Sequence, residues 1–362
     1  MLKSDEKIKV MIVDDSVLVR KYLSQILSDI GMDVVATASD GKIGLQKMLL
    51  YSPDIVVLDI EMPEMNGLDF LKYIKNNPPP KVPKVIMFSS LLEEGSSAVF
   101  EALNYGASEL IKKPDGNIQD NINYLKSEFN YKINGLLSKK EILPDIKVEK
   151  IEAKGDYVVG LNEFEKIFEI KRIKPELVAI GSSTGGPVAL RKIIKNLDNL
   201  PVPVVIAQHM PPGFTLEFAK NLTHSFNRNV KELKNEDKLE SGCIYICPGG
   251  KHAKLVKCDN SIVFKEDNNE YEGFFFKPSV DIFFKSIRQY VSSNVLAIIL
   301  TGMGKDGAME CVNLRKSGAF VIAQDEVSST VWGMPGNAVK MGGADVVLNV
   351  EEIGFAVNRF FK

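Results

Sequence analysis

The sequence predicts an α/β protein made of two doubly wound parallel-sheet domains joined by a linker. Its 362 residues are too many for one ordinary hydrophobic core, which favours two domains. Short apolar runs alternate with helix-like stretches in both halves, as in parallel sheets whose strands are connected by helices. Between the halves, a charge-rich segment interrupts this alternation.

The first domain is assigned to residues 1–138, where five short apolar runs are expected to form strands. These runs are Lys9–Val13, Asp33–Ala36, Ile55–Leu58, Lys84–Phe88 and Ser108–Ile111. A closing helix is expected between Ile118 and Ile133, because apolar residues recur there at three- and four-residue steps. Strand–helix alternation of this kind predicts a parallel sheet with helices on both faces.

Residues 139–174 are assigned to the linker because they are rich in charge and alternate only weakly. A connection of this length is usually a functional segment or a flexible tether. Residues 175–362 form the second, larger domain, which is expected to be Rossmann-like. Its strand-like runs are Leu177–Ile180, Val204–Ala207, Cys243–Ile246, Ser261–Phe264, Val295–Leu300, Ala319–Ala323 and Asp345–Leu348.

The composition excludes several classes of protein. The net charge of -2 gives no reason to expect binding to nucleic acid. The four cysteines lie in the second half without the spacing of a zinc site, so free thiols are expected. No apolar run is long enough to span a bilayer, and the N-terminus has no signal core. We therefore expect a cytoplasmic protein without membrane insertion.

Three carboxylates follow predicted strands of the first domain. Asp14 and Asp15 come directly after the first strand, and Asp59 comes after the third. Because the carboxyl ends of parallel strands meet at one edge, these groups would repel one another unless a cation such as Mg²⁺ entered. Ser89 and Lys113 end two further strands and could contact a phosphoryl group. Helix capping would explain single carboxylates, but it does not explain the whole set.

On these residues, the first domain resembles a response-regulator receiver, which implies a flavodoxin-like sheet. The matching segments are Val13–Ser16, Leu58–Gly67, Ser89 and Lys113-Pro114. The resemblance implies that Asp59 accepts a phosphoryl group from a histidine kinase. The Mg²⁺ ligands that it implies are the carboxylates of Asp14, Asp15 and Asp59 and the carbonyl of Glu61. The phosphoryl switch that it implies consists of Ser89 and Lys113. Leu110 departs from the pattern, since many receivers carry an aromatic residue there.

A glycine-rich turn in the second domain carries hydroxyl groups. Residues 181–185 match Gly-x-Ser-x-Gly between a predicted strand and a helix, a turn that exposes a serine hydroxyl near helix N–H groups. A serine needs a base, and the chain offers His209, His224 and His252. His209 closely follows a predicted strand. His224 lies in an ordinary surface context, and His252 lies in a turn where it could line a substrate cleft.

An orienting acid is available at Asp306, just after the run Val295–Leu300. Three strands would then deliver Ser183, His209 and Asp306 to one crevice, as a Ser-His-Asp triad requires. Asp306 alone could be a helix cap, but the joint placement favours the triad. The order along the chain differs from that of α/β-hydrolases, so the match does not imply that fold.

The second domain resembles the catalytic domain of chemotaxis protein-glutamate methylesterases over nearly its whole length. The matching segments are Gly181–Pro187, Gln208–Thr215, Pro278–Asp281, Leu300–Gly307, Ala323–Glu326 and Gly333–Pro335. The resemblance implies Ser183 as nucleophile, His209 as base and Asp306 as orienting acid. It also implies that the Met303 N–H lies in the oxyanion hole. Ser182, where alanine is common, leaves a choice between two serines, and the Gly-x-Ser-x-Gly register selects Ser183.

The resemblance further implies hydrolysis of glutamate methyl esters on methyl-accepting chemotaxis receptors, with release of methanol. It implies deamidation of receptor glutamines by the same site, and no cofactor is expected in this domain. Phosphorylation of Asp59 is expected to activate the enzyme. The hypothesis for this control is that the unphosphorylated first domain inhibits the second by packing over its cleft.

The same residues allow three other interpretations. Gly181, Gly185 and Gly186 after a strand could bind a dinucleotide, but the next strand ends in Gln208-His209 instead of an acidic residue for a ribose. A DNA-binding output is disfavoured because no basic recognition helix is evident. An adaptor without turnover would be separated from an enzyme by methanol release.

Overall fold

The computed structural model describes residues 7–90, 98–114, 118–137, 158–171, 173–259, 261–271, 276–291 and 294–362. The chain divides into two compact units, Met1–Glu141 and Ile142–Lys362. Each unit has its own parallel sheet, so the predicted α/β fold class is confirmed.

The first unit contains a five-stranded parallel sheet. Its strands are β1 (Lys9–Val13), β2 (Asp33–Ala38), β3 (Ile55–Leu58), β4 (Lys84–Ser89) and β5 (Glu109–Lys112). Its helices are α1 (Val17–Asp29), α2 (Gly41–Tyr51), α3 (Gly67–Asn76), α4 (Ala98–Asn104) and α5 (Ile122–Leu137), and a 3-10 turn at Ile118–Asn121 precedes α5. The strand order β2-β1-β3-β4-β5 reverses direction at β1, which places a crevice at the carboxyl ends of β1 and β3.

Polar caps fix where the helices of this unit begin. Ser16 caps α1, Asp40 caps α2 and Asn66 caps α3, each accepting a hydrogen bond from a backbone N–H of the first turn. Since α1 begins three residues after Asp14, this cap holds the acidic turn at the end of β1. Strand β3 is buried along its whole length, as expected for a strand covered by helices on both faces.

The second unit contains an eight-stranded parallel sheet and an antiparallel hairpin. Its strands are β6 (Val158–Val159), β7 (Leu177–Ser182), β8 (Val204–Gln208), β9 (Val230–Glu232), β10 (Ile244–Ile246), β11 (His252–Cys258), β12 (Ser261–Asp267), β13 (Val295–Ile299), β14 (Phe320–Gln324) and β15 (Val346–Leu348). The sheet order is β6-β15-β14-β13-β7-β8-β10-β9, and β11 pairs with β12. Its helices are α6 (Leu161–Ile170), α7 (Gly186–Lys195), α8 (Phe214–Phe226), α9 (Val280–Tyr290), α10 (Ala308–Lys316), α11 (Met334–Lys340) and α12 (Val350–Arg359).

The hairpin is a departure from the predicted parallel sheet. The run Ser261–Phe264 does form a strand, but it pairs antiparallel with the strand directly before it in the chain. A short connection permits only antiparallel pairing, because a parallel partner needs a crossover of a dozen residues or more. An apolar run therefore predicts that a strand forms, whereas the length of the connection decides whether the strand can pair with its neighbour in the chain.

The second part of the predicted linker is folded, which the sequence did not predict. Residues 139–157 lie outside the described residues, whereas 158–170 form β6 and α6. Strand β6 pairs parallel with β15. Helix α6 buries Phe164 completely against the rings of Phe320 and Phe360, with ring centroids 6.0 and 5.9 Å away. The many charges of this segment are those of an amphipathic helix, so this stretch belongs to the fold of the second unit.

The core of the second unit lies on both faces of its central strands. Strands β7, β8, β13 and β14 are buried at every position, because helices cover the sheet on both sides. Consequently, these four strands can present functional groups to the surface only at their ends. Within the described part of the chain, no helix has the length and apolar character needed to cross a bilayer.

Candidate functional site

The first predicted site residue, Ser183, directly follows strand β7. It is 5 % exposed and precedes the turn into α7. Gly185 adopts a left-handed conformation at φ +76°, which glycine allows without strain. A Cβ atom on Gly186 would lie 2.0 Å from Oε1 of Gln208. Both glycines are therefore required for the close packing of this turn.

A continuous hydrogen-bonded chain links the three residues that the sequence singled out. Oγ of Ser183 lies 3.0 Å from Nδ1 of His209, and Nε2 of His209 lies 2.8 Å from Oδ2 of Asp306. The three side chains come from the ends of β7, β8 and β13, as predicted. The imidazole faces the serine with Nδ1 and the carboxylate with Nε2, which reverses the ring orientation of chymotrypsin-like triads.

The amino terminus of α9 holds the carboxylate of Asp306. The backbone N–H groups of Val280 and Asp281 donate to it at 2.7 and 2.9 Å, and the Ser279 hydroxyl donates at 2.9 Å. Burial alone would raise the pKa of Asp306, but the hydrogen bond and charge of His209 and the two N–H donors outweigh it and hold the pKa below its usual range. Asp306 is thus a stable anion facing the imidazole.

A second carboxylate beside this anion behaves in the opposite way. Burial, followed by the charge of Asp306, raises the pKa of Asp281 to about 6. The neighbouring carboxylates differ because Asp306 has the histidine and the helix N–H groups as donors. Asp306 is therefore the carboxyl group of the pair that ionises at the lower pH.

The loop after β13 lies directly against the serine. A Cβ atom on Gly302 would lie 2.7 Å from Cβ of Ser183, so the backbone of this loop approaches the serine side chain closely. The carbonyl of Thr301 accepts a hydrogen bond from the Ser183 N–H at 3.0 Å, and the Gly302 N–H donates to Val331 at 3.0 Å. Met303, the predicted oxyanion-hole residue, is the next residue in this loop.

The other two histidines lie outside the hydrogen-bonded chain. His224 is exposed on α8, as expected for a surface residue. His252, which could have lined a substrate cleft, is instead fully buried at the start of β11. Its Nδ1 accepts a hydrogen bond from the Ser279 N–H at 3.3 Å. His252 therefore supports the segment that holds Asp306 and does not border an open cleft.

Several polar residues around the site follow no motif that would have predicted their role. Gln208 donates to the backbone carbonyls of Ser183 and His209, both at 3.0 Å. The Thr301 hydroxyl donates to the carbonyl of Thr184 at 2.8 Å. The signal that could have identified them is a polar residue ending a wholly apolar strand, because such a buried group needs hydrogen-bond partners.

The acidic residues of the first unit meet at the carboxyl ends of β1 and β3. Asp14 and Asp59 are buried, Asp15 is exposed, and one oxygen of each lies within 4.8 Å of the others. Nζ of Lys113 lies 2.8 Å from Asp14 and 2.6 Å from Asp59. Ser89 is buried at the end of β4, where its carbonyl accepts the Lys113 N–H at 2.9 Å. The predicted set is therefore brought together.

The cluster carries more negative charge than its lysine compensates. Burial, with a contribution from the charge of Asp14, raises the pKa of Asp59 to about 6 despite the nearby ammonium. Burial alone would lower the pKa of Lys113, but the charges of Asp59 and Asp14 and their hydrogen bonds raise it. A set of hard oxygen donors with surplus negative charge is compatible with Mg²⁺. Glu61 lies next to the cluster and lines a surface groove with Asp15.

Two family models match the chain. One described as the response regulator receiver domain matches residues 10–125, and one described as CheB methylesterase matches residues 178–357. The first match lies in the first structural unit and the second match in the second.

Curated relatives match along the whole chain. A protein-glutamate methylesterase/protein-glutamine glutaminase of Treponema denticola is 37% identical, with 99% of both chains covered. One of the same name from Archaeoglobus fulgidus is 38% identical, with 98% of both covered. The crystal structure of the Thermotoga maritima CheB methylesterase catalytic domain is 37% identical, covers 52% of this chain and 98% of that one, and has a TM-score of 0.48.

Proposed function

Because the chain belongs to the CheB methylesterase family and carries a response regulator receiver domain, we propose that it hydrolyses glutamate methyl esters on methyl-accepting chemotaxis receptors. The products are methanol and a receptor glutamate. The observation that carries this proposal is the hydrogen-bonded chain from Ser183 through His209 to Asp306.

In the acylation step, Oγ of Ser183 attacks the carbonyl carbon of the ester while Nδ1 of His209 accepts the serine proton. The anionic carboxylate of Asp306 accepts the Nε2–H hydrogen bond and stabilises the imidazolium that forms. The carbon–oxygen bond to the methoxy group then breaks, and His209 returns the proton to departing methanol. The acyl group remains on the serine.

In the deacylation step, water attacks the acyl-enzyme and gives its proton to Nδ1 of His209. The imidazolium then protonates Oγ of Ser183 as the carboxylic acid leaves. The N–H of Met303, in the loop against the serine, is assigned to the oxyanion of both tetrahedral intermediates. Loss of one such donor typically costs about 3 kcal/mol of barrier.

The same site also accepts a glutamine side chain. The amide carbonyl takes the place of the ester carbonyl, and His209 protonates departing ammonia in place of methanol. Deamidation thereby creates a glutamate from a receptor glutamine. The names of the relatives from Treponema denticola and Archaeoglobus fulgidus combine the two activities.

Substitution of the two serines tests the nucleophile. We expect Ser183→Ala to abolish methanol release from methylated receptor, because no other hydroxyl faces Nδ1 of His209 among the described residues. Ser182→Ala is the matched control, since the Ser182 hydroxyl is buried and donates to Gln208 instead. The measurement is methanol release with and without a small phosphoryl donor. Activity in the Ser183 variant together with inactivity in the Ser182 variant would reassign the nucleophile.

The receiver unit regulates the esterase activity of the second unit. A chemotaxis histidine kinase donates a phosphoryl group to the carboxylate of Asp59. The residues that would hold Mg²⁺ are Asp14, Asp15 and Asp59, with the carbonyl of Glu61. A bound Mg²⁺ neutralises negative charge in this cluster. Lys113 and Ser89 then contact the phosphoryl oxygens, and this rearrangement raises the rate of the esterase. The catalytic unit uses no cofactor.

The partners follow from this chemistry. The substrates are the methylated segments of chemotaxis receptors, and the phosphoryl donor is the receptor-coupled kinase. The enzyme acts from the cytoplasm without inserting into the membrane and without binding nucleic acid. Receptor and kinase are therefore the two macromolecules that should change the measured turnover.

A further inference from the structure

Gln208 is a buried polar side chain that the reaction itself does not use. It is the last residue of β8 and is 2 % exposed. Its amide makes three hydrogen bonds, none of which belongs to the sheet. Burying an amide is costly unless it is fully hydrogen-bonded. The three partners therefore show what this side chain holds in place.

The amide nitrogen joins the two reacting residues. Nε2 of Gln208 donates to the backbone carbonyl of Ser183 at 3.0 Å and to that of His209 at 3.0 Å. Ser183 follows β7 and His209 follows β8, so one planar group connects the two turns that carry the hydroxyl and the imidazole. The two donors of a single NH₂ group have a fixed mutual geometry.

The orientation of this amide is fixed by its surroundings. Oε1 of Gln208 accepts the hydroxyl of Ser182 at 2.6 Å. The two carbonyls on the other side can only accept, so the nitrogen must face them. A Cβ atom on Gly186 would lie 2.0 Å from Oε1, which shows that the turn is built closely around the side chain.

We propose that Gln208 is a positioning residue for the esterase reaction. By holding the carbonyls of Ser183 and His209, it sets the distance between Oγ and Nδ1, which is 3.0 Å in this structure. This inference rests on the proposed function and assigns no contact with substrate to Gln208. A small displacement of a nucleophile from its base lowers the rate of chemistry more than it weakens substrate binding.

Two substitutions test this role in the full-length chain with methylated receptor as substrate. Gln208→Met keeps the length of the side chain and removes all three hydrogen bonds. Gln208→Glu keeps the acceptor for Ser182 and directs an oxygen at the two carbonyls. For both variants we expect kcat to fall at least about tenfold while KM stays within about threefold. Ile170→Ala, at a position on α6 that is 82% exposed, is the control and is expected to retain kcat within about threefold.

The pH profile separates positioning from a general loss of structure. In Gln208→Glu, the introduced carboxyl group is buried, which raises its pKa, and its protonated form can again donate to one carbonyl. We expect the kcat of this variant, divided by that of the wild type at the same pH, to rise as the pH falls from about 8 to about 6. Gln208→Met has no titratable group at this position and should show a flat ratio.

Thermal melting and labelling of Ser183 with a small sulfonyl fluoride complete the test. The proposal is supported if both Gln208 variants are folded and are labelled more slowly than the wild type. It also requires that the kcat ratio of Gln208→Glu rises as the pH falls. The proposal is overturned if both variants keep kcat within about threefold, or if lost activity matches lost folded fraction at every pH. If Ser183→Ala remains active, the proposed function fails instead, so the two failures are distinguishable.

Discussion

At the scale of single residues, the neighbours of a buried carboxylate decide its charge. Asp306 and Asp59 are both largely buried, but Asp306 has a histidine and helix N–H donors that hold its pKa below the usual range. Asp59 shares one ammonium with Asp14, and burial raises its pKa to about 6. Asp306 is therefore suited to stabilise an imidazolium. At Asp59, by contrast, a bound proton or cation would stabilise the folded receiver unit.

The raised pKa of Asp59 predicts how the receiver unit responds to Asp59→Asn. In the wild type, the folded state binds a proton more tightly than the unfolded chain. The resulting stabilisation is complete below about pH 4 and is lost as the pH rises through about 6. The stability of the asparagine variant lacks this pH dependence, because an amide does not titrate. In the absence of Mg²⁺, we expect it to be more stable than the wild type at pH 7 by about 1–3 kcal/mol.

Thermal or urea unfolding of the receiver transition between about pH 4 and pH 8 measures this effect. The gain of the variant should shrink as the pH falls below about 5, where the wild-type carboxyl is protonated. Added Mg²⁺ should stabilise the wild type more than the variant, because the variant lacks one anionic ligand. A variant that is less stable than the wild type at every pH would show that the Lys113 ion pair dominates.

At the scale of elements, two helices of the catalytic unit have separate tasks. The amino terminus of α9, capped by Ser279, presents N–H groups to Asp306 and uses a helix end as an anion site inside the protein. Helix α6 instead extends the core at the edge of the sheet. Lys171, directly after α6, also contacts the second unit, with Nζ 2.9 Å from the buried Asp345. One helix therefore serves the site and the other serves stability.

We predict that Phe164→Ala destabilises the catalytic unit by about 3–5 kcal/mol, because the ring is fully buried in an aromatic cluster. Ile170→Ala in the same helix is the control, since Ile170 is 82% exposed and should change stability by less than about 0.5 kcal/mol. Urea unfolding of the full-length chain measures both. Equal effects of the two substitutions would contradict the packing of α6 against the sheet.

At the scale of the whole molecule, the chain combines two units with separate chemistries. A response regulator receiver domain occupies the first unit, and a methylesterase domain occupies the second. Since the sites depend on separate sheets, each should keep its local chemistry when the other is altered. Their coupling is a property of the full chain, and it is measured by comparing the full chain with its parts.

We predict that a catalytic fragment releases methanol faster than the unphosphorylated full-length enzyme. The fragment should begin before β6, at about residue 150, because a start at Pro175 would remove β6 and α6. A small phosphoryl donor should raise the full-length rate towards that of the fragment and should have no effect on Asp59→Asn. Equal rates for the fragment and the unphosphorylated enzyme would contradict inhibition by the receiver.

Much of the candidate site could be predicted because parallel sheets gather the residues that follow their strands at one edge. Apolar runs were enough to locate β7, β8 and β13, and the polar residues after them proved to be neighbours. The acidic cluster of the receiver unit was predictable for the same reason. In both cases a local pattern along the chain determined a position in space.

The sequence by itself therefore determined the α/β fold class and the residues that meet at the strand ends. Only the tertiary structure decided that Ser261–Phe264 joins a hairpin, that α6 belongs to the catalytic unit and that His252 is buried. It also decided which imidazole nitrogen faces the serine and which carbonyls Gln208 holds. These features depend on contacts between residues far apart in the chain, and periodicity records only how a segment faces its surroundings, not which partner it meets.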